Sequence, residues 1–361
     1  MAAVWQLVVL AVVWCVGLVL SSKDTATELK RFTPKENTEL SNLVYYNGIL
    51  YVGGRDFLYS FDEELKKKQT VDTCTKSCKS NYNQVLLLNK TTQEMIVCGT
   101  GNDGFCDRRS LMDLSNVTYT PSKENRDWNT MVVSTDVERP ALAMMWDDNL
   151  FLMAVTYGAN ILHNINTDKH EYNALTLRHN SFVFNDVGNT GGSKLLIKIK
   201  TTVSSLSNYV VYYKDVFRDD IYTYLLTNQK KYVGNDTYVS KIVQLCNYDP
   251  TFKTYVDMEL TCVKDGVTYN LVQDSTVGKI NGEDHLIASF AKGNEPENVN
   301  GGGVVCSEKI SELNRQLTNE AFKFLKSPFL TDSEQYLSLT SSYAFPVSYY
   351  IIEQFFSSPE H

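Results

Sequence analysis

The strongest constraint on the fold is a repeat of short β-rich runs separated by tight turn signals. Residues 44–62 contain three such runs, joined by Asn47-Gly48 and by residues 53–56. Asn-Gly favours a type I′ hairpin, because both central positions of that turn need a positive φ. A similar strand–turn–strand–turn–strand layout returns at residues 141–165, and residues 84–98 hold two strands of a further copy.

The repeat has a regular spacing. The inner strands begin near Leu50, Met95 and Leu150, so the period is roughly 45 to 55 residues, which in an all-β chain predicts propeller blades. A blade of about that length gives roughly seven blades for the whole chain. The helical spacing of the apolar residues within 307–326 predicts one helix.

Composition supports a folded protein that does not bind nucleic acid. The chain has 361 residues, of which 43% are hydrophobic and 12% aromatic, enough for a sizeable core. The net charge is −8, whereas binding to phosphate backbones needs a basic face.

The N-terminus predicts export from the cell. Residues 4–20 are apolar except for Gln6, and Lys23 is the first charged residue. We interpret residues 1–22 as a cleaved signal peptide and residues 23–361 as one secreted, extracellular domain. An uncleaved anchor is the alternative, because about 17 apolar residues nearly span a bilayer. No other segment is as long and apolar, so we expect no stable membrane insertion.

Cysteine usage agrees with an oxidising compartment. Seven cysteines follow the predicted signal peptide, and an odd number leaves one thiol over. The pairs Cys74/Cys78 and Cys98/Cys106 are close enough in sequence to bridge locally. Their spacing is not that of a zinc knuckle, and the histidines lie elsewhere, which favours disulfides over a metal site.

Sequons for N-glycosylation point the same way. They begin at Asn89, Asn116 and Asn235. Asn89 falls in a predicted hairpin loop, where we expect a glycan to be accessible.

Motifs for catalysis or cofactor binding are not convincing. Residues 99–104 match G-x-G-x-x-G, but Cys98 and Cys106 bracket them and no amphipathic helix follows, which favours a stapled hairpin loop. The chain shows no nucleophile elbow and no H-E-x-x-H zinc motif. We therefore expect no enzyme activity, no cofactor and no metal, and instead a recognition surface on inter-strand loops.

Five collinear motifs resemble the sema domain of the semaphorin family. They lie at residues 50–62, at 97–106 with its two cysteines, and at 209–217, 244–249 and 303–306. The resemblance covers nearly all of the chain after the predicted signal peptide. Because the chain is compact, it most resembles the secreted semaphorins that poxviruses encode.

The resemblance implies a fold and a disulfide pattern. The fold is all-β, a sema-type β-propeller, nominally seven-bladed, with an incomplete last blade that a strand near residues 29–32 helps to close. The implied disulfides are Cys74–Cys78, Cys98–Cys106 and Cys262–Cys306, which leaves Cys246 as the free thiol.

The resemblance also implies a partner. It predicts a homodimer that binds a host plexin receptor and modulates leukocyte adhesion and migration. The expected receptor is a C-class plexin. The implied contact loops map to residues 214–220 and 247–253, with these candidate receptor-binding residues: Lys214, Asp215, Arg218, Asp220, Tyr248, Asp249 and Lys253.

Three alternatives remain open. Tyr248 could instead pack against its own loop. The protein could be a monomeric decoy, or an inactive truncated fragment, that does not signal. A secreted propeller glycosidase is the enzymatic alternative, but the chain has few arginines and no evident Asp-box repeats.

Overall fold

A computed structural model describes most of the chain between residues 38 and 326. The described residues are 32, 34, 38–74, 78–101, 104–121, 132–156, 171–179, 196–200, 210–231, 236–250, 252, 254–296, 298–326 and 337–339. The predicted signal peptide, the strand predictions at 161–165 and 180–184, and residues 29–31 lie outside these ranges.

Antiparallel sheets make up almost the whole described structure, and consecutive strands pair in order. Sheet 1 contains β1 (Leu40–Tyr46), β2 (Ile49–Gly54), β3 (Phe57–Phe61) and β4 (Lys67–Asp72). Sheet 2 contains β5 (Asn83–Asn89), β6 (Glu94–Gly99), β7 (Cys106–Ser110) and β8 (Val117–Tyr119). Sheet 3 contains β9 (Ala141–Met145), β10 (Leu150–Val155), β11 (Glu171–His179) and β12 (Leu196–Lys200), with β22 (Leu337–Leu339) paired to β12.

The second half continues the pattern. Sheet 4 contains β13 (Tyr212–Arg218), β14 (Tyr222–Lys230), β15 (Tyr238–Cys246) and β16 (Val256–Leu260). A hairpin of β17 (Cys262–Lys264) and β18 (Val267–Tyr269) leads to sheet 5, which contains β19 (Leu271–Ile280), β20 (Glu283–Glu295) and β21 (Asn298–Lys309). Helix α1 (Ile310–Lys326) follows β21, close to the predicted helix.

The five sheets are arranged around one another as propeller blades. The first strands of consecutive sheets lie against each other, β1 on β5, β5 on β9, β9 on β13 and β13 on β19. A separate hydrophobic cluster fills each of the four spaces between consecutive sheets. Middle strands are therefore buried on both faces, as in β14, where Tyr224 and Leu226 face sheet 5 and Leu225 faces sheet 3. The propeller prediction is confirmed, and the number seven stays a prediction.

The turn chemistry read from the sequence is present. Asn47 and Gly48 have φ values of 51° and 76°, as a type I′ hairpin requires.

Buried amides join neighbouring sheets. Asn83 is buried at the start of β5, where its Nδ2 donates to the Val85 and Cys98 carbonyls and its Oδ1 accepts from Asn42 Nδ2 at 2.9 Å. A Cβ at Gly53 would lie 2.3 Å from Asn83 Oδ1. Glycine at this position is therefore what allows sheets 1 and 2 to approach this closely.

Two strand predictions need correction. β10 pairs with β9 on one edge and with β11 on the other, so its second partner is β11 and not the predicted segment 161–165, which lies outside the described residues. The strand predicted at residues 207–213 begins only at Tyr212 and continues to Arg218, because pairing with β14 extends the ladder into residues that we expected to form a loop.

Candidate recognition surface

The two predicted contact segments meet at one end of sheet 4. The β13–β14 turn (residues 219–221) and the β15–β16 loop (residues 247–255) are joined through Asn247. Its backbone N–H donates to the Ile221 carbonyl at 2.8 Å, and its Nδ2 donates to the Asp219 carbonyl at 2.9 Å. Thr223 Oγ1 donates to Asn247 Oδ1 at 2.7 Å. The two segments therefore form one surface.

Asp219 holds the β13–β14 turn from inside. Its Oδ1 accepts the backbone N–H groups of Ile221 and Tyr222 at 2.8 and 2.6 Å. Its Oδ2 accepts the hydroxyl of Tyr224 at 2.7 Å. Tyr224 is fully buried in the core between sheets 4 and 5, so the turn is tied to the hydrophobic core by a charge-assisted hydrogen bond.

The same hydroxyl reaches helix α1. Tyr224 Oη lies within hydrogen-bond distance of Asn314 Oδ1, which also accepts from Gln244 Nε2 at 2.9 Å. Burial first, and then the hydrogen bond to Asp219, raise the pKa of the Tyr224 hydroxyl far above its ordinary value. Tyr224 is therefore a neutral hydrogen-bond donor at physiological pH.

The β15–β16 loop is anchored by one aromatic side chain. Phe252 is fully buried and packs edge-on against Trp146, with ring centroids 6.2 Å apart. Asp249 Oδ2 accepts the Thr254 N–H at 2.7 Å and closes the loop on itself. Tyr248 projects away from this anchor and is 81% exposed, so it does not pack against its own loop.

The other predicted contact residues are placed differently. Lys214, Asp215 and Arg218 belong to strand β13, and the prediction that they form a loop is wrong because this part of the chain pairs with β14. Asp220 is exposed in the turn. Lys253 lies outside the described residues.

Asp215 is half-buried and bonded to a neighbouring sheet, whereas Arg218 is exposed at the end of β13 and also contacts sheet 3. Asp215 Oδ2 accepts a hydrogen bond from Ser275 of sheet 5, and burial raises the pKa of its carboxyl against the opposing effect of its hydrogen bonds. Arg218 donates to the Trp146 carbonyl at 2.8 Å, and its guanidinium lies 5.0 Å from the indole centroid. Burial lowers the pKa of Arg218, and the nearby Asp147 carboxylate opposes this.

Sequence reasoning missed Ile221 and the β9–β10 turn (residues 146–149). Ile221 is 46% exposed beside Asn247, an apolar residue at a turn tip that could have been noticed. Asp147 and Asp148 are exposed turn formers whose nearness to Arg218 follows only from the packing of sheet 3 on sheet 4.

The three predicted disulfides are present, and Cys246 is a free thiol. Cys98–Cys106 closes the β6–β7 loop, as expected for residues 99–104. Cys262–Cys306 connects the β17–β18 hairpin to β21.

The predicted glycosylation sites differ in their exposure to solvent. Asn89 is only 1% exposed, and its Nδ2 donates to the Asp148 carbonyl at 3.1 Å. The expectation of an accessible glycan at Asn89 is therefore wrong, because sheet 3 covers the end of β5. Asn116 is exposed in the β7–β8 loop, and Asn235 lies outside the described residues.

The described ranges contain neither a candidate metal site nor a candidate membrane-spanning helix. No group of three or more His, Cys, Asp or Glu residues there could hold a metal ion. In the same part of the chain, no helix is both long and apolar enough to cross a membrane.

Comparison with known proteins identifies relatives. No protein-family model matches the chain. Mouse plexin-A4 is 26% identical over an alignment 286 residues long, which covers 68% of this chain and 15% of the plexin. Zebrafish plexin A3 is 24% identical over an alignment 310 residues long, which covers 72% of this chain and 16% of the plexin. The chain therefore spans about one sixth of the length of these relatives.

Solved structures agree on the fold. The extracellular region of plexin A4 superimposes with a TM-score of 0.62 at 20% identity, covering 79% of this chain and 36% of that one. Drosophila semaphorin 1a, extracellular domains 1–2, gives 0.56 at 12% identity, covering 90% and 66%. A complex of Drosophila plexin A with semaphorin 1b gives 0.50 at 11% identity, covering 81% and 55%. The chain is thus similar in sequence to plexins, and its fold is the sema-type β-propeller of these plexin and semaphorin structures.

Proposed function

We propose that this protein is an extracellular recognition module that binds a plexin through the loop end of sheets 3 and 4. The observation that carries the proposal is the preorganised surface formed by the β13–β14 turn and the β15–β16 loop, which presents Tyr248 outward on a loop anchored by Phe252. An exposed aromatic side chain on a rigid frame is what a binding hot spot needs. The named relatives are plexins and semaphorins, which favours recognition over the glycosidase alternative.

A plexin partner is supported by the solved complex. In that complex a plexin, Drosophila plexin A, binds a semaphorin. The same pairing supports a semaphorin-like role for this chain, with a plexin as its receptor. The finer version is a poxviral, secreted, homodimeric semaphorin that acts on leukocytes through a C-class plexin, and it rests on the motif resemblance alone.

A second candidate reverses the roles. Plexins are the sequence relatives, at 24–26% identity, whereas the semaphorin structure shares 12%. This favours a plexin-like module whose partner is a semaphorin. The fold is common to both roles, so the partner must be identified by binding.

Binding to two panels tests both candidates. The purified full chain is immobilised, and soluble plexin and semaphorin ectodomains are passed over it in turn. We expect saturable binding to a plexin, and binding only to a semaphorin would establish the second candidate. If the chain shows cooperative unfolding but binds neither panel at micromolar concentration, the proposed function is wrong. Light scattering on the same sample distinguishes the dimer from the monomeric decoy.

Glycosylation at Asn116 and secretion are part of the proposal. The exposed position of Asn116 supports the first, and the presence of three disulfides supports an oxidising compartment for the second. Expression in a mammalian cell line checks both, through the mass of the protein recovered from the medium before and after enzymatic removal of N-glycans.

A further inference from the structure

We infer that Ile221 and Tyr248 are the two apolar anchors of a single contact patch with an acidic border, and that the partner offers an apolar pocket bordered by lysine or arginine. This inference rests on the proposed function. We call the surface the rim patch and define it by residues 146–149, 219–221 and 247–249.

Exposure of the two apolar side chains is the first observation. Tyr248 and Ile221 are 81% and 46% exposed on segments whose backbones are hydrogen-bonded to each other through Asn247. Single exposed apolar residues are ordinary on protein surfaces, but neighbouring ones on a rigid support are typical of interaction sites. A tyrosine contributes a large contact area with few rotatable bonds, so fixing it on binding costs little entropy.

Rigidity of the support is the second observation. Asp219 and the buried Tyr224 hydroxyl hold the turn that carries Ile221. The buried ring of Phe252 holds the loop that carries Tyr248. Both anchors are therefore presented in place before binding, which reduces the ordering cost of association.

Charge around the anchors selects the partner. The three segments and the adjoining Arg218 contain five aspartates, at positions 147, 148, 219, 220 and 249. Arg218 is the cation among these residues, and it is bound to the Trp146 carbonyl and stacked on the indole ring. The patch therefore has a negative border, which favours a basic partner surface and disfavours an acidic one.

The patch differs from the residues expected from the motif resemblance. It keeps Tyr248, Asp220 and Asp249, and it adds Ile221 with the β9–β10 turn. Lys214 and Asp215 are left out, because they lie half-buried within strand β13 and Asp215 is bonded to Ser275 of sheet 5. Arg218 is exposed at the end of β13 and adjoins the patch.

Single substitutions on the full chain test the patch against the ectodomain that the wild type binds. Tyr248→Ala and Ile221→Ala should each weaken binding, Tyr248→Ala on the order of tenfold or more and mainly through faster dissociation. Asp220→Asn should slow association and reduce its dependence on salt. Val263→Ala is the matched control, since Val263 is 62% exposed on the β17–β18 hairpin at the opposite end of sheet 4.

The outcomes are distinguishable. Retention of binding within about twofold by both alanine variants, with the wild type binding, would overturn the rim patch and leave the proposed function standing. Equal losses in these variants and in Val263→Ala would also overturn it. Failure of the folded wild type to bind either panel would overturn the proposed function and the patch with it. Equal denaturation midpoints of all variants show that the side chains, and not the fold, were changed.

Discussion

Replacing Tyr224 with phenylalanine should loosen the turn that carries Ile221 while leaving the core packed. The ring is fully buried between sheets 4 and 5 and stays in place, so only the hydroxyl is lost. That hydroxyl donates to Asp219 Oδ2 at 2.7 Å and contacts Asn314. Hydrogen bonds to charged groups contribute about 1.5 to 3 kcal/mol. Asp219 is only half-buried, so water can replace part of the loss and we expect about 1.5 to 2 kcal/mol.

Equilibrium unfolding and amide exchange measure the effect. Denaturant unfolding followed by the fluorescence of the buried Trp146 gives the free energy of unfolding. Hydrogen exchange at the Ile221 and Tyr222 amides, which donate to Asp219 Oδ1, reports the turn directly. A local loosening of about 1.4 kcal/mol would speed their exchange roughly tenfold.

Tyr222→Phe is the matched control, because the Tyr222 hydroxyl makes no hydrogen bond within the described part of the structure. It should change the unfolding free energy by less than about 0.5 kcal/mol. Identical midpoints and exchange rates for Tyr224→Phe and Tyr222→Phe would refute the reasoning. A double-mutant cycle of Tyr224→Phe with Asn314→Leu should show a coupling of at least about 0.5 kcal/mol, since both residues belong to one network.

Three further predictions follow from the burial or exposure of single residues. Gly53→Ala should destabilise the protein by about 2 to 4 kcal/mol, because the new Cβ collides with Asn83. The control is Gly303→Ala, where the nearest atom to the new Cβ lies 3.5 Å away, and its melting temperature should be nearly unchanged. Asn116→Gln should remove one glycan by mass spectrometry of the secreted protein, and an unchanged mass would contradict it. Burial raises the pKa of Asp215 in the folded state, so the folded state binds the proton more readily than the unfolded state. The free energy of unfolding therefore falls as pH rises from the ordinary pKa to the raised one. Asp215→Asn should reduce this pH dependence of the free energy of unfolding, measured across acidic pH.

Much of the local structure is predictable from the sequence. Asn47-Gly48 predicts its hairpin because few residues adopt two successive positive φ values. The apolar spacing in residues 307–326 predicts α1 because helical periodicity is a property of the segment itself. The repeat of such units along an all-β chain predicts a propeller, since each sheet must bury both faces against its neighbours.

The candidate site is only partly predictable in this way. The resemblance located the β15–β16 loop and the β13–β14 turn, yet it assigned strand residues to the loop. Ladder pairing of β13 with β14 decides where the turn begins. The adjacent charges of Lys214 and Asp215 suggest a loop, although Val216 and Phe217 after them are strand-forming residues.

The amino-acid sequence alone predicts the hairpins, the helix, the cysteine pairs close in sequence and the all-β character, because each depends on residues within one turn or one repeat. Tertiary packing alone decided which polar groups are available. Asn89 is buried by Asp148, 59 residues away, and Tyr224 meets Asn314, 90 residues away. The physical reason is that burial and hydrogen-bond partners at such separations depend on how the sheets pack, whereas side-chain alternation and turn preference act within a few residues.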